Sequence, residues 1–380
     1  MAKTAVLVLG MHRSGTSVLT QVISKMGFHL GAGQLGASEH NVEGHFERKD
    51  VIALDDAILR TFGMEWFSFG ERVPEMAGVE PRFLKEANRI LDGLFGESDA
   101  VVIKEPRMCI TLPLWEKVLE ARGVSVKYVF AFRHPKSVAL SLKRRNKISI
   151  ENGQALWLYY NHALLSKIDK DIFAVNYDEM VNSPTAVLDE LAMYLGKDST
   201  DAGNVIKNTM RHHVTPFEFS DNENVVGEYY KGLLEGFSRV VGPSEIKGFL
   251  SKHKYVGEYL KKMTPLKWHT QVFFNQHKEY TEKDSVQTVI SGGQNELTFD
   301  LTEYKKLYSL RFDPHMDSCR LRLDDVRIWD THNKEVKYKI ETNAETVDGN
   351  TYLFKTIDPQ VAFLFKPKKL SAIRLSFEID

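Results

Sequence analysis

An apolar strand, Val6-Leu7-Val8-Leu9, runs straight into Gly10-Met11-His12-Arg13-Ser14-Gly15-Thr16-Ser17, and no other feature of the chain constrains its fold as much. Glycines at 10 and 15 behind a buried strand, with the helical pattern Val18–Met26 after them, are the parts of an anion-binding loop. Glycine permits positive φ and close approach, successive backbone N–H groups converge, and the dipole of the following helix favours negative charge. The spacing is that of a P-loop, but Thr16 stands where a nucleotide hydrolase carries its lysine. Positive charge must therefore come from Arg13. The glycine spacing alone also occurs in ordinary strand-to-helix turns; the strand before it and the helix after it favour the anion loop.

Further strand-like runs at Ala100–Ile103, Lys127–Phe132 and Ile172–Val175 are separated by helix-like segments at Val51–Thr61, Pro81–Leu94, Leu112–Ala121, Pro135–Arg145 and Gln154–Lys167. Such alternation implies a parallel sheet covered on both faces, with ligands collecting at the carboxyl ends of its strands. A helical segment at Pro184–Leu195 closes this part near Gly196, and from about Asp198 to Lys278 the pattern is helical and polar. After Lys283 the texture changes to short alternating segments between turn residues: Ser285–Ile290, Glu296–Leu301, Leu307–Phe312, Cys319–Trp329, Val336–Ile340, Thr351–Phe354, Val361–Phe365 and Ala372–Ile379. These predict an all-β sandwich or jelly roll. The expected organisation is an α/β domain with a P-loop-like parallel sheet flanked by helices over 1–197, a helical extension over 198–283 and the β domain over 284–380.

Charge narrows the partners. A formal net charge of −1 gives no support to nucleic-acid or other bulk polyanion binding, so any affinity for phosphate is local. Two cysteines, Cys109 and Cys319, make no disulfide framework and fit a cytoplasmic protein with reduced thiols. The N-terminal apolar run is too short for a signal-peptide core, and no run is long enough to span a bilayer.

The residues at the strand ends decide between ligand classes. Nucleoside triphosphate enzymes hold Mg²⁺ on an acidic residue at the end of a neighbouring strand and place a loop lysine on the phosphates. Here Val101-Val102-Ile103 ends in Lys104-Glu105-Pro106-Arg107, and Tyr128–Phe132 ends in Arg133-His134-Pro135. Cations occupy both places, although Glu105 and Asp178 remain available as carboxylate ligands. Pro135 presets a helix, and Ser141 falls about two turns into it, where its hydroxyl and the Arg133 guanidinium reach one phosphate. Taken singly, a surface ion pair explains Arg133 and a neutral helix position explains Ser141 equally well.

Together these residues resemble a known family. Arg13-Ser14-Gly15-Thr16-Ser17 looks like the 5′-phosphosulfate loop of sulfotransferases that use 3′-phosphoadenosine 5′-phosphosulfate (PAPS). Arg133-His134-Pro135 with Ser141-Leu142 and Arg144-Arg145 resembles their 3′-phosphate motif. Lys104-Glu105-Pro106-Arg107 is similar to a Lys-Asp-Pro-Arg run of the bacterial members, with Glu105 in place of Asp, and Val175–Met180, followed by Pro184 and Leu195-Gly196, resembles their late strand and helix. The resemblance covers roughly the first half of the chain. It implies sulfuryl transfer from PAPS to an acceptor hydroxyl, with release of adenosine 3′,5′-bisphosphate and no required metal. It also implies that His12, Arg13, Ser14, Gly15, Thr16 and Ser17 hold the phosphosulfate, that Lys104 neutralises the bridging oxygen, and that Arg133, Ser141 and Arg145 select the 3′-phosphate. A sulfuryl group carries less charge than a phosphoryl group, so positioned cations and backbone N–H donors suffice for in-line transfer.

A general base must lie within hydrogen-bond reach of the acceptor hydroxyl. The stretch His40–Glu47 resembles an Asn-x-x-Gly-aromatic-x-Glu pattern of the bacterial members, and its candidates are Glu47 first, then Glu43, then His45. A helix cap or salt bridge is the plain alternative for Glu47. Trp66, Phe67, Trp157, Tyr159 and Tyr160 are aromatic residues that could stack on an acceptor, although aromatics at helical spacing more often belong to a core; His12, His134, His212 and His213 carry weaker suggestions. The expected acceptor is a carbohydrate, as surface polysaccharide or lipid-linked sugar, with a phenolic or peptide metabolite as the second choice. The rival readings are a small-molecule or nucleotide kinase with a degenerate loop, and a non-catalytic glycan-binding protein. In the β domain, Asp313, Asp317, Asp324 and Asp325 near Trp329 leave a carbohydrate-binding or Ca²⁺-stabilised module open beside a plain structural one.

Overall fold

Strand β1 (Thr4–Leu9) has Ala5 to Leu9 wholly buried, which only a central strand of a two-sided sheet allows. The computed structural model describes residues 3–35, 46–76, 80–146, 148–198, 205–206, 225–263, 266–291, 293–315, 319–356 and 358–379. It divides into two compact units, residues 1–145 with 149–263, and residues 146–148 with 264–380.

In the first unit β1 lies between β2 (Ala100–Lys104) and β3 (Ser125–Phe132), with β4 (Ile172–Asn176) and β5 (Val240–Val241) beyond β3. The first four strands are parallel and β5 runs antiparallel to β4. Because the register pairs Val8 with Lys104, Leu9 with Phe130 and Phe132 with Asn176, the carboxyl ends of all four parallel strands gather at one edge. The helices are α1 (Thr16–Lys25), α2 (Lys49–Thr61), α3 (Pro81–Glu97), α4 (Met108–Ala121), α5 (Pro135–Asn146), α6 (Ile150–Lys167), α7 (Tyr177–Asn182), α8 (Pro184–Leu195), α9 (Val225–Gly236), α10 (Pro243–Lys252) and α11 (Val256–Lys262).

Local chemistry sets several of these boundaries. Pro81 and Pro184 open α3 and α8, where a missing N–H costs nothing, and Gly196 ends α8 in the left-handed region at φ +65°. The Asn176 side chain accepts from the N–H groups of Asp178 and Glu179, so β4 turns directly into α7. Val6, Val8, Leu19, Val102, Val129, Phe173 and Leu191 share one buried cluster between the sheet and its helices. Each such side chain contributes about 1.5–3 kcal/mol on burial. No helix among the described residues is long and apolar enough to cross a membrane.

The second unit comprises β6 (Leu266–Asn275), β7 (Ser285–Ser291), β8 (Gly293–Asp300), β9 (Leu307–Asp313), β10 (Cys319–Asp330), β11 (Lys339–Thr342), β12 (Thr346–Asp348), β13 (Thr351–Phe354), β14 (Val361–Lys368) and β15 (Leu370–Ile379). They form two antiparallel five-stranded sheets, in orders β12-β13-β10-β15-β8 and β11-β14-β9-β6-β7, and share one core that includes Phe274, Phe312, Leu321, Ile328, Phe363 and Phe377. A bulge between Leu323 and Asp325 shifts the phase of β10, so the buried positions run 319, 321 and 323, then 326 and 328.

Two sequence expectations are corrected here. The helical extension over 198–283 does not hold to its end: β6 pairs with β7 and β9, and the second unit starts at 264 rather than 284. Val272, Phe273 and Phe274 are all buried, so β6 lacks the clean alternation that marks a half-buried strand. The strand expected at Val336–Ile340 lies at Lys339–Thr342, and β12 carries no apolar alternation because all three of its residues are exposed. The described carboxylates near Trp329 stand in ion pairs: Asp313 with Arg311 (2.8 Å), Asp324 with Arg322 (2.7 Å) and Asp325 with Arg327 and Arg374 (both 3.0 Å). Asp317 lies outside the described residues. Among the described residues, no group of three or more His, Cys, Asp and Glu side chains is placed to hold a metal ion.

Candidate functional site

The loop between β1 and α1 approaches its neighbours too closely for any residue larger than glycine at two positions. Gly10 has φ +139°, and a Cβ there would stand 2.2 Å from the Ala131 carbonyl oxygen of β3; Gly15 has φ +89°, and its Cβ would stand 2.1 Å from Cδ2 of Tyr177. Arg13, between them, takes φ +69°, an unusual backbone state for a side chain of its size and one that clusters at functional sites. The Gly10 N–H donates to the Cys109 Sγ (3.2 Å) and the Ser14 N–H to the Met11 carbonyl (3.2 Å). Ser14 is fully buried, yet its hydroxyl has no hydrogen-bond partner among the described residues. A buried polar group of this kind ordinarily meets a water or a ligand.

Cationic side chains converge on this loop from three other elements. Arg13 Nε donates to the Ser141 hydroxyl of α5 at 2.7 Å across 128 positions of chain, so two groups assigned by the sequence to opposite ends of one ligand touch each other directly. Arg133, just after β3, donates to the Arg13 carbonyl (3.4 Å), lies 4.4 Å over the Tyr177 ring and stands 3.9 Å from Asp178. Lys104, the last residue of β2, is buried, with its ammonium on the Glu47 carboxylate and 3.3 Å from the Ser17 hydroxyl. Arg145 on α5 holds its guanidinium 5.8 Å from the Trp66 ring, and His12 meets the same ring edge-on at 5.1 Å and Tyr160 at 5.8 Å. Every described site residue expected from the sequence thus lies on or beside the loop, at a strand end, on α5 or just before α2. Glu43, His45, His212 and His213 lie outside the described residues.

Sequence reasoning assigned no role to four residues that shape the site. Tyr177 fills the space against Gly15 and carries Arg133 on its face. Arg107 is clamped between the Glu105 carboxylate and Asp56, its Nε 2.6 Å from Asp56 Oδ1. Asp55 lies one position away, wholly buried, and accepts from the Thr111 hydroxyl (2.8 Å) and the Trp115 indole N–H (2.9 Å). The available signals were slight: Tyr177 directly follows a strand end, and Asp55-Asp56 is an acidic pair inside an otherwise amphipathic helix.

Burial and mutual repulsion set the electrostatics. The pKa of Arg13 is lowered by burial and by Arg133, and that of Arg145 falls to about 10 through burial and then Arg13. Burial also lowers Arg133, although Tyr177 and Asp178 oppose it. For Arg107 burial acts against the charge, but Glu105 and Asp56 outweigh it and its pKa rises. His12 sits well below the ordinary histidine value because its ring is desolvated and faces Arg107, Arg145, Lys104 and Arg13; its Nε2 is sealed from water with no partner among the described residues. The imidazole is therefore neutral at physiological pH. Asp55 moves the other way, to about 8, through burial and the nearby Glu105. Guanidinium groups held below their ordinary pKa by one another gain from an anion placed among them. Of the carboxylates at the strand ends, Glu105 is taken up by Arg107, and Asp178 faces Arg133.

No family model and no curated protein matches the chain. Solved structures to which it is similar include the sulfotransferase STF9 from Mycobacterium avium, at 14% identity over 67% of this chain and 76% of that one, with a TM-score of 0.36. They also include the sulfotransferase domain of the Synechococcus PCC 7002 olefin synthase (15% identity, 70% and 97% coverage, TM-score 0.31) and a sugar kinase from Janibacter sp. HTCC2649 (14%, 54% and 99%, TM-score 0.30). Likenesses at this level assign no activity, and both enzyme classes are among them.

Proposed function

We propose that the chain is a sulfotransferase that moves a sulfuryl group from PAPS to a hydroxyl of a carbohydrate acceptor. One observation carries this reading: Arg13, Lys104 and Arg133 converge at a glycine-bounded loop whose buried Ser14 hydroxyl has no partner among the described residues. The donor fits the residues present. Thr16 and Ser17 open α1, whose N-terminal N–H groups favour an anion, and the repulsion between the buried Arg13 and Arg133 guanidinium groups is relieved by anionic oxygens. Cations stand at the β2 and β3 ends, where a triphosphate enzyme keeps a carboxylate for Mg²⁺, and this weighs against a kinase.

When bound, PAPS supplies the sulfuryl group. Arg13 and the Ser14–Ser17 backbone hold the phosphosulfate, with His12 lining the loop as a neutral side chain; Arg133 and Ser141 take the 3′-phosphate. Glu47 accepts the acceptor hydroxyl proton as that oxygen bonds to sulfur. The bond from sulfur to the bridging oxygen breaks, its electron pair stays on the bridging oxygen, and Lys104 neutralises the charge that develops there. Lys104 is already held between the Ser17 hydroxyl and the Glu47 carboxylate, so little reorganisation is required of it. Glu43 and His45 remain further candidates for the base.

Calorimetric titration of the full chain with adenosine 3′,5′-bisphosphate tests the reading. Tight binding is expected without Mg²⁺, with a large loss of affinity in Arg13→Ala and loss of discrimination against adenosine 5′-phosphate in Arg133→Ala. Tighter binding of Mg²⁺-ATP than of the bisphosphate would overturn it.

A further inference from the structure

Of the five aromatic residues that the sequence offers for acceptor stacking, four are sealed in the core: Phe67, Trp157, Tyr159 and Tyr160 are each 2% exposed or less. Trp66 is the one of the five that is only partly buried. Its segment is nevertheless fastened down. The Tyr160 hydroxyl donates to the Trp66 carbonyl, the Tyr159 hydroxyl to the Arg72 carbonyl (3.3 Å) and the Lys167 ammonium to the Pro74 carbonyl (2.7 Å), so the connection between α2 and α3 is tied to α6 at three points. Phe67 packs edge-on against the indole at 5.6 Å. The ring also touches the anion loop, since its neighbour His12 directly precedes Arg13.

We propose that Trp66 is the acceptor platform, the surface on which a pyranose ring lays its C–H face while the hydroxyl to be sulfated points toward Glu47. This rests on the sulfotransferase reading and goes beyond it by naming a residue that determines acceptor class. A rigid, partly buried indole loses little conformational freedom on binding, which is why such rings anchor ligands. A flat ring alone serves a phenol as well as a sugar; the surroundings separate them. Arg145 lies against the indole and within electrostatic range of Glu47 and Arg107, and the His12 imidazole flanks it on another side. That polar rim serves several hydroxyls around one ring, whereas a phenol presents only the one that reacts.

The test uses the full chain saturated with adenosine 3′,5′-bisphosphate and titrated with neutral oligosaccharides, and in parallel with simple phenols, while tryptophan emission is recorded for the wild type and Trp66→Phe. Saccharides are expected to change emission in the wild type and not in the variant. In transfer assays with labelled PAPS, Trp66→Ala should raise KM for saccharides about tenfold or more with a smaller change in kcat. Tyr160→Phe, which removes only the hydroxyl that holds the Trp66 carbonyl, should raise KM by a smaller factor. Bisphosphate affinity should stay unchanged in all three variants, and a wild type that fails to bind the bisphosphate would instead sink the sulfotransferase reading. An unaltered saccharide KM in Trp66→Ala, a wild-type emission that no saccharide in the series perturbs, or a Trp66 response to phenols alone would overturn the proposal.

Discussion

Replacing Gly15 by alanine tests the packing of the loop between β1 and α1 at the level of one atom. The φ of +89° costs an L-residue about 1–2 kcal/mol on its own. The added Cβ would lie 2.1, 2.8 and 3.1 Å from Cδ2, Cε2 and Cγ of Tyr177. That ring is 5% exposed and carries the Arg133 guanidinium 4.4 Å above it, so it does not swing aside without moving Arg133. Overpacking of this kind costs about 1–3 kcal/mol, which brings the expected loss to about 2–5 kcal/mol. Urea unfolding of Gly15→Ala, Tyr177→Ala and the double variant separates the two contributions. With the ring gone, only the backbone part remains, so the pair should couple by about 1–3 kcal/mol instead of adding. Displacement of Arg133 should also weaken bisphosphate binding at least tenfold, or about 1.4 kcal/mol. Stability within about 0.5 kcal/mol of wild type, or additivity within the same margin, would refute the reasoning.

Three further outcomes are expected. Lys104→Met leaves the buried Glu47 carboxylate without its cation and should cost about 3–5 kcal/mol in unfolding experiments, whereas the double variant with Glu47→Gln should recover much of the loss; Glu47→Gln by itself should keep bisphosphate affinity and lose most turnover. Asp55 titrates near 8 in the fold against an ordinary 3.8, so the folded chain binds the extra proton between those values and stability falls as pH rises from about 4 to about 8, by up to about 1.4 kcal/mol per pH unit. Asn at this position keeps an acceptor for Thr111 and Trp115, and Asp55→Asn should flatten that slope in urea unfolding between pH 5 and 9; parallel curves would contradict the shift. A fragment spanning 264–380 retains β6 between β9 and β7 and should show a cooperative thermal transition by circular dichroism, while one spanning 284–380 should not; equal behaviour would count against the corrected boundary.

Much of the architecture was legible because its signals are local. The Pro184–Leu195 helix and the Thr351–Phe354 strand occur with the bounds that their turn residues and periodicity predict, and the four parallel strands differ from expectation by one or two residues at their ends. β6 was missed because both of its faces are covered, and burial on both sides erases the period by which a strand is recognised. Tyr177 was missed for another reason: nothing in its neighbourhood shows that Gly15 is pressed against it from 162 positions away.

The amino-acid sequence by itself determined that a buried strand feeds a glycine-bounded loop, that Lys104 and Arg133 stand at strand ends, and that the chain changes texture from α/β to all-β. These properties depend on residue type and on periods of two and 3.6 residues, which any stretch of chain carries within itself. Only the tertiary structure decided that Glu47 pairs with Lys104 across 57 positions, that Arg13 reaches Ser141 across 128, and that Trp66 stays partly exposed while its four aromatic companions are buried. Charge pairing and exposure depend on distances through space, and parallel strands linked by long crossovers bring together residues whose separation along the chain says nothing of their separation in the fold.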